Sequence, residues 1–297
     1  MRIYEENGNI IVEQISDFNV AQTLNCGQCF HFKEIGENEF GVAAFGHLLH
    51  IGQNGDRVCF YDTDMETFEA IWRGYFDLDT DYGAIKKTLS ATGTELTTAM
   101  EAMWGVRILK QEFFETLMSF IISQNKQIPH IKQIVWAISE KYGDFLGNLG
   151  GVDFYSFPTV KQLAGVTPED YRALKTGFRA PYLANAVEAV ITGKVDESAL
   201  REMGGEDCIE SLCQIKGVGR KVGSCVTLFG LGKMECFPID VWIQRIMENM
   251  YFHRAATKQE IEALADQRFG RLGGYAQQYL FYYGREIKLG VDKSKQS

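Results

Sequence analysis

The sequence lacks features that would place the chain in a membrane or in the secretory pathway. Its 297 residues contain no uninterrupted apolar run near the roughly 20 residues that a membrane span needs. The amino-terminal residues Met-Arg-Ile-Tyr-Glu-Glu do not follow the charged-then-apolar pattern of a secretory signal. We therefore expect no membrane partner.

Cysteine is scarce and irregularly spaced. The seven cysteines are an odd number, they are scattered, and none follows Cys236. Such a set does not predict a disulfide framework, and we expect a reduced chain in the cytoplasm. Cys26-Gly27-Gln28-Cys29 is a C-x-x-C motif without a second pair of suitable spacing, so it indicates zinc or redox chemistry only weakly.

An excess of positive charge is also missing. The net charge is −9, which at first argues against a nucleic-acid partner. The charge is unevenly distributed, however. Residues 1–99 contain 6 Lys and Arg and 16 Asp and Glu, whereas residues 100–297 contain 24 and 23. The acidity therefore belongs to the first third, and the larger remainder could carry a local basic face.

The apolar period changes along the chain. The first sixty residues contain short β-type runs separated by turn signals such as Asn54-Gly55: residues 8–13, 30–32 and 40–45. From about residue 84 the apolar residues recur at spacings of three and four, as in Phe113, Leu117 and Phe120. We expect an α+β protein, with an N-terminal antiparallel β-sheet domain over residues 1–100 and an all-helical domain over residues 101–297.

A cationic glycine hairpin, Lys216-Gly217-Val218-Gly219-Arg220-Lys221, lies between two short helix patterns. Glycine permits positive φ and close backbone approach, so residues 215–221 are expected to form a tight hairpin between the two helices. Outward-pointing hairpin amides and the second helix N-terminus would then bind phosphate. The residues expected to do so are Lys216, Gly217, Val218 and Gly219. An ordinary helix–helix turn with glycine caps explains the G-x-G pattern equally well.

The glycine hairpin is followed by Phe237-Pro238-Ile239-Asp240-Val241, and together they resemble the helix-hairpin-helix DNA glycosylase superfamily. Within it, the chain is similar to the 8-oxoguanine DNA glycosylase family. Further motifs match in the right order over nearly the whole chain: residues 27–30, 123–125, 177–180 and 275–281. The resemblance implies a base-excision repair enzyme that removes 8-oxoguanine from duplex DNA and also cleaves abasic sites as a lyase.

Lys221 and Asp240 are the expected catalytic pair. A lysine amine can attack the sugar carbon and form a Schiff base, and a carboxylate can stabilise the positive charge that develops on the sugar. The resemblance assigns these roles to Lys221 and Asp240. Each has a simpler interpretation, because Lys221 could bind phosphate and Asp240 could cap the apolar helix pattern that follows it. For Asp240 the two roles are compatible.

Four residues are expected to form the pocket for the extruded base. The resemblance implies that the Gly27 carbonyl accepts the N7–H of 8-oxoguanine, that Gln277 pairs with the base edge, and that Phe281 stacks on one face. Cys225 would pack on the other face. Taken singly, each has a simpler explanation, since Gly27 could mark a β-bulge and Phe281 and Cys225 could be core residues.

Four further residues match positions that contact DNA around the orphaned partner base. Asn125 would fill the gap left by the extruded base, with Phe178 as a wedge beside it, and Arg179 would contact the orphaned cytosine. His130 stands where many members carry a second arginine. Histidine is shorter and only partly charged at neutral pH, which implies a less strict preference for cytosine. Trp242 replaces a phosphate-contacting histidine and has no assigned role.

No cofactor is expected. Related glycosylases carry an iron–sulfur cluster held by cysteines near the C-terminus, but here no cysteine follows Cys236. A monovalent cation on the glycine-hairpin carbonyls is implied by the resemblance, as are duplex DNA as partner and a monomeric state. Two alternatives stay open. Alkylated-base glycosylases share the fold but lack the hairpin lysine, and non-enzymatic helix-hairpin-helix proteins bind DNA without chemistry.

Overall fold

The computed structural model describes residues 1–289, and its first part is a six-stranded antiparallel sheet. Along the sheet the strand order is β1-β2-β6-β5-β4-β3. Tight turns set the register. Asn7 and Gly8 both have positive φ (53° and 76°), which matches the two-residue turn that joins β1 to β2. The strands are β1 Arg2–Glu6, β2 Asn9–Glu13, β3 Phe32–Gly36, β4 Glu39–Ala44, β5 His47–Asn54 and β6 Arg57–Tyr61.

The strand expected at residues 30–32 begins only at Phe32. Residues 26–31 instead form an irregular turn after the first helix, Val20–Asn25. The fully buried side chain of Gln28 explains the difference. Its amide nitrogen donates to the Thr23 and Arg107 carbonyls at 2.9 and 2.7 Å, and its amide oxygen accepts from the Leu109 amide at 2.9 Å. These bonds satisfy backbone groups that a strand partner would otherwise satisfy.

A helical body follows the sheet, and the expectation of an α+β protein is confirmed. A π-helical turn at 68–72 joins α2 to α3, and another at 248–252 follows α13. The helices are α1 Val20–Asn25, α2 Met65–Thr67, α3 Arg73–Tyr75, α4 Tyr82–Ser90, α5 Thr94–Ala102, α6 Phe113–Ser123, α7 Ile128–Tyr142, α8 Pro168–Ala173, α9 Ala180–Ile191, α10 Glu197–Glu202, α11 Gly205–Leu212, α12 Arg220–Phe229, α13 Val241–Met247, α14 Lys258–Phe269 and α15 Gly273–Glu286.

The body is not wholly helical. A two-stranded antiparallel β-hairpin, β7 Phe145–Leu149 and β8 Val152–Tyr155, lies between α7 and α8. Gly150 and Gly151 form its turn, both with positive φ. The Phe154 side chain is fully buried and packs so closely on β4 that a side chain at Gly41 would overlap its ring. The β-hairpin therefore joins the helical body to the sheet.

The buried apolar residues form two clusters. One lies between the sheet and the helical segment 65–76, and it includes Phe40, Phe60 and Trp72. The other fills the helical body and already includes Tyr82 and Leu96 of α4 and α5. The domain boundary at residue 100 stays a prediction. No helix within residues 1–289 is both long and apolar enough to cross a membrane.

Candidate active site

The glycine hairpin lies between α11 and α12, and only one of its glycines uses a glycine-specific conformation. Gly217 has φ +95°, and a Cβ there would overlap the Tyr182 ring. Gly219 has φ −100° with open space where a Cβ would point. Gly217 is therefore required by both conformation and close approach. Gly219 is the N-cap of α12 and leaves room in front of the helix.

The amides of the glycine hairpin are not all directed outward. The Val218 N–H donates to the Ile215 carbonyl at 2.9 Å, and Val218 is buried, so this part of the phosphate-site prediction is wrong. The Gly217 carbonyl accepts from the Gln124 side-chain amide at 3.0 Å. Gly219 offers no capping side chain to α12, so the N–H groups of the first helical turn remain available. The side chain of Lys216 is exposed.

Lys221 lies in the first turn of α12, as expected. Its Nζ is 3.4 Å from Ser123 Oγ at the end of α6 and 5.4 Å from the centroid of the Phe120 ring. Within residues 1–289, no carboxylate lies within ion-pair distance of this amine. The amine is therefore partly buried against an aromatic ring and a hydroxyl.

Asp240 caps α13. Its Oδ1 accepts from the Ile243 amide at 2.8 Å, which confirms the cap expected from the apolar pattern that follows it. This bond fixes the orientation of the carboxylate. Asp240 and Lys221 line the same cleft, which has a volume of about 870 Å³. We call it the base cleft. All six expected catalytic and base-pocket residues line it: Lys221, Asp240, Gly27, Cys225, Gln277 and Phe281.

One wall of the base cleft is the turn at Gly27. Gly27 has φ +92°, and a Cβ there would lie 2.9 Å from Arg285 Nη1 and 3.2 Å from the Phe281 ring. A larger residue is therefore excluded by conformation and by space. The buried amide of Gln28 and the bond from Gln278 Nε2 to the Cys26 carbonyl (3.2 Å) hold the turn on both sides.

Helix α15 forms the adjoining wall, in contact with the Gly27 turn. Gln277, Phe281 and Arg285 follow one another at intervals of four residues, so they share one helix face and all line the base cleft. The Gln277 side chain is buried. Its Nε2 donates to the Pro238 carbonyl at 3.3 Å, whereas its Oε1 has no partner within residues 1–289. A buried acceptor without a donor is available to a ligand.

Cys225 lies one helical turn after Lys221 on α12 and is buried at the floor of the cleft. Burial raises the pKa of its thiol to about 11, the Lys221 amine lowers it and the Asp240 carboxylate raises it further. At neutral pH the thiol is therefore uncharged, and its neighbours include both expected catalytic groups. An uncharged, polarisable sulfur is suited to pack against the face of a flat ring.

The four expected DNA-contact residues form a second group, the rim cluster: Asn125, His130, Phe178 and Arg179. Asn125 is exposed with φ +50°, and Phe178 is 55% exposed. Arg179 is buried instead, and its guanidinium donates to the Gln124 and Asn125 carbonyls and lies 4.2 Å from the Phe178 ring. It therefore joins the Asn125 turn to Phe178. His130 is exposed in the first turn of α7.

The sequence prediction omitted three cations of the base cleft, Lys126, Lys132 and Arg285. Arg285 could have been found, because it continues the four-residue spacing of Gln277 and Phe281. Lys132 on α7 could not, because only the tertiary fold brings its Nζ to 3.4 Å from the centroid of the Phe32 ring. Burial lowers the pKa of Lys132. Trp242 also lines the cleft, with the Arg245 guanidinium 5.6 Å from its ring.

A smaller cavity of about 300 Å³ also borders α12, and Lys221 lines it as well as the base cleft. Arg220 lines it and bonds to two carboxylates. Its Nη1 is 2.5 Å from Glu206 and its Nε is 3.0 Å from Glu262. Among the residues 1–289, no group of three His, Cys, Asp or Glu side chains is arranged to hold a metal ion, and the seven cysteines are free thiols.

Comparisons with known proteins agree with this architecture. Residues 10–117 match the family model of the 8-oxoguanine DNA glycosylase N-terminal domain, and residues 118–271 match that of the HhH-GPD superfamily base excision DNA repair proteins. The structure of the Clostridium acetobutylicum 8-oxoguanine glycosylase/lyase is 37% identical, with a TM-score of 0.92 over 97% of this chain and 99% of that one.

Curated relatives extend the similarity to more distant organisms. A probable N-glycosylase/DNA lyase of Methanothermobacter thermautotrophicus is 29% identical over 87% of this chain and 84% of its own length. The N-glycosylase/DNA lyase OGG1 of Arabidopsis thaliana is 25% identical over 90% and 77%. The chain belongs to the 8-oxoguanine DNA glycosylase family of the HhH-GPD superfamily.

Proposed function

We propose that this protein is a base-excision repair glycosylase that removes 8-oxoguanine from duplex DNA and then cleaves the abasic strand as a lyase. The observation that carries the proposal is the base cleft itself. A lysine amine without a carboxylate partner within residues 1–289, a capped aspartate and an orphaned amide oxygen line one cleft, together with a thiol and an aromatic ring. Relatives named as glycosylase and lyase support the same activity.

Lys221 acts as the nucleophile. Its neutral amine attacks C1′ of the extruded nucleotide, the C1′–N9 bond breaks, and the electron pair leaves with the base, which takes up a proton. Positive charge develops on the sugar as the bond lengthens. The Asp240 carboxylate stabilises that charge, and because its N-cap bond already fixes it, no reorganisation is needed during the reaction.

The lyase step follows from the same covalent bond. The sugar ring opens to give a Schiff base between C1′ and the Lys221 nitrogen. The iminium acidifies C2′, so loss of a C2′ proton breaks the C3′–O bond and the 3′ phosphate departs with its electron pair. Water then releases the lysine. The chemistry uses this chain's own residues and the DNA, and no cofactor takes part.

The base is recognised by groups on both walls of the cleft. The Gly27 carbonyl accepts from N7–H, which guanine lacks, and the unpaired Gln277 Oε1 accepts from the base edge. Phe281 and the uncharged Cys225 thiol enclose the ring between them. Each polar group that would otherwise be unsatisfied thereby gains a partner.

The rim cluster binds the DNA around the extruded nucleotide. The exposed Asn125 is suited to fill the gap that the extruded base leaves in the duplex. The exposed Phe178 is suited to insert as a wedge beside the neighbouring base pair. Arg179 supports the Asn125 turn in the present arrangement, and its contact with an orphaned cytosine stays a prediction. His130 takes part in the same contact. Lys216 and the first-turn amides of α12 bind a backbone phosphate.

Three further parts of the proposal concern the oligomeric state, the location in the cell and a bound cation. We expect a monomer that acts in the cytoplasm. A monovalent cation on the glycine hairpin would share the Ile215 and Gly217 carbonyls, each of which already accepts one hydrogen bond. Sedimentation of the purified protein with and without a duplex measures the oligomeric state.

Borohydride trapping tests the chemistry directly. The substrate is a duplex with one 8-oxoguanine opposite cytosine, run beside the undamaged duplex. Lys221→Gln removes the nucleophile, and Lys87→Gln, an exposed lysine at the end of α4, is the matched control. We expect a covalent band that requires both the lesion and Lys221 and that Lys87→Gln leaves unchanged.

The same gel separates the alternatives. Free base without a trapped band would make the enzyme monofunctional and remove Lys221 from the nucleophile role. The absence of both free base and trapped band would contradict the proposal. Equal binding of damaged and undamaged duplexes would then favour a non-enzymatic DNA-binding protein. Release of an alkylated base from a duplex that carries one, without release of 8-oxoguanine, would favour an alkylated-base glycosylase.

A further inference from the structure

Arg285 presents an unused donor to the base cleft. Its side chain is 18% exposed. Nη2 donates to the Asn25 carbonyl at 2.7 Å, at the end of α1, and to Glu286 Oε1 at 3.3 Å, whereas Nη1 is buried and has no partner among residues 1–289. A buried guanidinium N–H without an acceptor is costly, and such groups are rare in folded proteins. The unpaired donor therefore requires an explanation.

The position of Nη1 is fixed from three sides. The guanidinium lies 5.7 and 5.0 Å from the ring centroids of Phe281 and Tyr282, and the Asn25 bond holds its other nitrogen. A Cβ built on Gly27 would lie 2.9 Å from Nη1. The donor is thus directly beside the Gly27 turn. Because arginine donates through a rigid planar fork, fixing Nη2 also orients Nη1.

We propose that Arg285 determines specificity by donating from Nη1 to the O8 oxygen of 8-oxoguanine; the inference rests on the proposed function. N7–H and O8 are adjacent on the five-membered ring of the lesion. If the Gly27 carbonyl accepts from N7–H, the neighbouring O8 faces the donor beside Gly27. Undamaged guanine has C8–H in that place, so both Nη1 and the Gly27 carbonyl would remain unpaired and the wrong base would be rejected.

Single-turnover kinetics with two substrates tests this contact. One duplex carries 8-oxoguanine opposite cytosine, and the other carries a preformed abasic site, which has no base for Arg285 to contact. We expect Arg285→Met to slow 8-oxoguanine excision by about 10- to 100-fold, because a charged donor to a buried acceptor is lost. Cleavage of the abasic duplex should change by less than about twofold, because Schiff-base formation by Lys221 and cleavage of the C3′–O bond need no contact with a base.

Two further variants sharpen the result. Arg285→Lys keeps the charge but loses the planar guanidinium, so a single amine cannot bond to the Asn25 carbonyl and to O8 at the same time. Its excision rate should therefore lie between those of wild type and Arg285→Met. Arg172→Met removes an exposed arginine whose partner is Glu169 on α8 and serves as the matched control. It should leave both rates unchanged.

Three outcomes would overturn the inference. Equal losses on both duplexes would make Arg285 a structural residue that holds the end of α1. Unchanged excision would show that O8 is not contacted. In a crystal structure of Lys221→Gln with the lesion duplex, an Nη1–O8 distance beyond about 3.2 Å, or a contact with O6 instead, would also contradict it. A wild-type protein inactive on both duplexes would instead reject the proposed function.

Discussion

The two sides of helix α12 differ although their side chains are sequence neighbours. Arg220 points to the smaller cavity and bonds to Glu206 and Glu262, and these two carboxylates raise its pKa. Lys221 lines both cavities, but its side-chain hydrogen-bond partner is Ser123 Oγ in the base cleft, at 3.4 Å. Both cations belong to the same basic hairpin motif in the sequence. Only the tertiary fold makes one of them part of an ion network and leaves the other amine available for chemistry.

The difference between the surroundings of Arg220 and Lys221 explains why an acidic chain can act on DNA. Carboxylates are present near the glycine hairpin, but on the side of α12 that faces the smaller cavity. On the side of the base cleft, the cap bond fixes Asp240, and Glu286 pairs with Arg285. The other charged groups that line the cleft are Lys126, Lys132 and Lys221. Net charge is a property of the whole chain, whereas steering and binding depend on the local field.

Asp240→Asn gives the largest expected effect, because it tests whether the base-cleft side of α12 supplies electrostatic catalysis. Asparagine caps a helix as well as aspartate does, so the change removes charge and keeps the cap. We expect 8-oxoguanine excision to fall by about 100- to 1,000-fold under single-turnover conditions. The unfolding free energy should change by less than about 1 kcal/mol.

The matched control is Asp196→Asn. Asp196 caps α10 in the same way, with its Oδ1 2.8 Å from the Ala199 amide. It should leave the excision rate unchanged. If Asp240→Asn kept its rate as well, Asp240 would be a helix cap only.

Gly217→Ala tests the turn between the two sides of α12. Alanine at φ +95° is strained, and its Cβ would overlap the Tyr182 ring, so we expect a loss of about 2–4 kcal/mol in the free energy of unfolding. Gly219→Ala meets no atom within 4 Å at φ −100° and should cost less than about 1 kcal/mol. Urea denaturation measures both. Equal costs would mean that the G-x-G motif acts as a unit rather than through Gly217.

The local parts of this site could be predicted from the sequence. A glycine hairpin followed by a helix positions Lys221, and an aspartate before an apolar helix pattern predicts the Asp240 cap. Both depend on contacts between residues a few positions apart. The spacing of Gln277 and Phe281 on α15 is equally local, and continuing it by one more turn would have added Arg285.

The parts that depend on distant contacts could not be predicted. Gln28 prevents a strand at residues 30–32 by bonding to the backbone of Arg107 and Leu109, about eighty residues away. Arg179 bonds to carbonyls more than fifty residues earlier in the chain. The β-hairpin over residues 145–155 is a different case, because its Gly150-Gly151 turn was a local signal that the sequence analysis did not use.

Arg220→Met tests the ion network on the other side of α12. Arg220 is 51% exposed, so solvent screens most of the attraction, and we expect the free energy of unfolding to fall by only about 0.5–1.5 kcal/mol. The excision rate should stay within about twofold of wild type. A double-mutant cycle with Glu206→Gln measures the coupling of the pair. A large loss of excision with unchanged stability would make Arg220 part of the DNA-binding surface.

The smallest expected effect concerns the two thiols on either side of α12. Burial raises the pKa of both, to about 11 for Cys225 at the floor of the base cleft, whereas Cys213, near Arg220, is only partly buried. Because alkylation requires the thiolate, a raised pKa lowers the reactive fraction at any pH below it. We expect iodoacetamide to modify Cys213 before Cys225 at pH 8, and Cys225 to react appreciably only as the pH approaches 11, as mass spectrometry of the peptides would measure. Fast alkylation of Cys225 at pH 8 would mean that its thiol is ionised beside Lys221, and the base cleft would then hold a thiolate–ammonium pair instead of a neutral sulfur and an available amine.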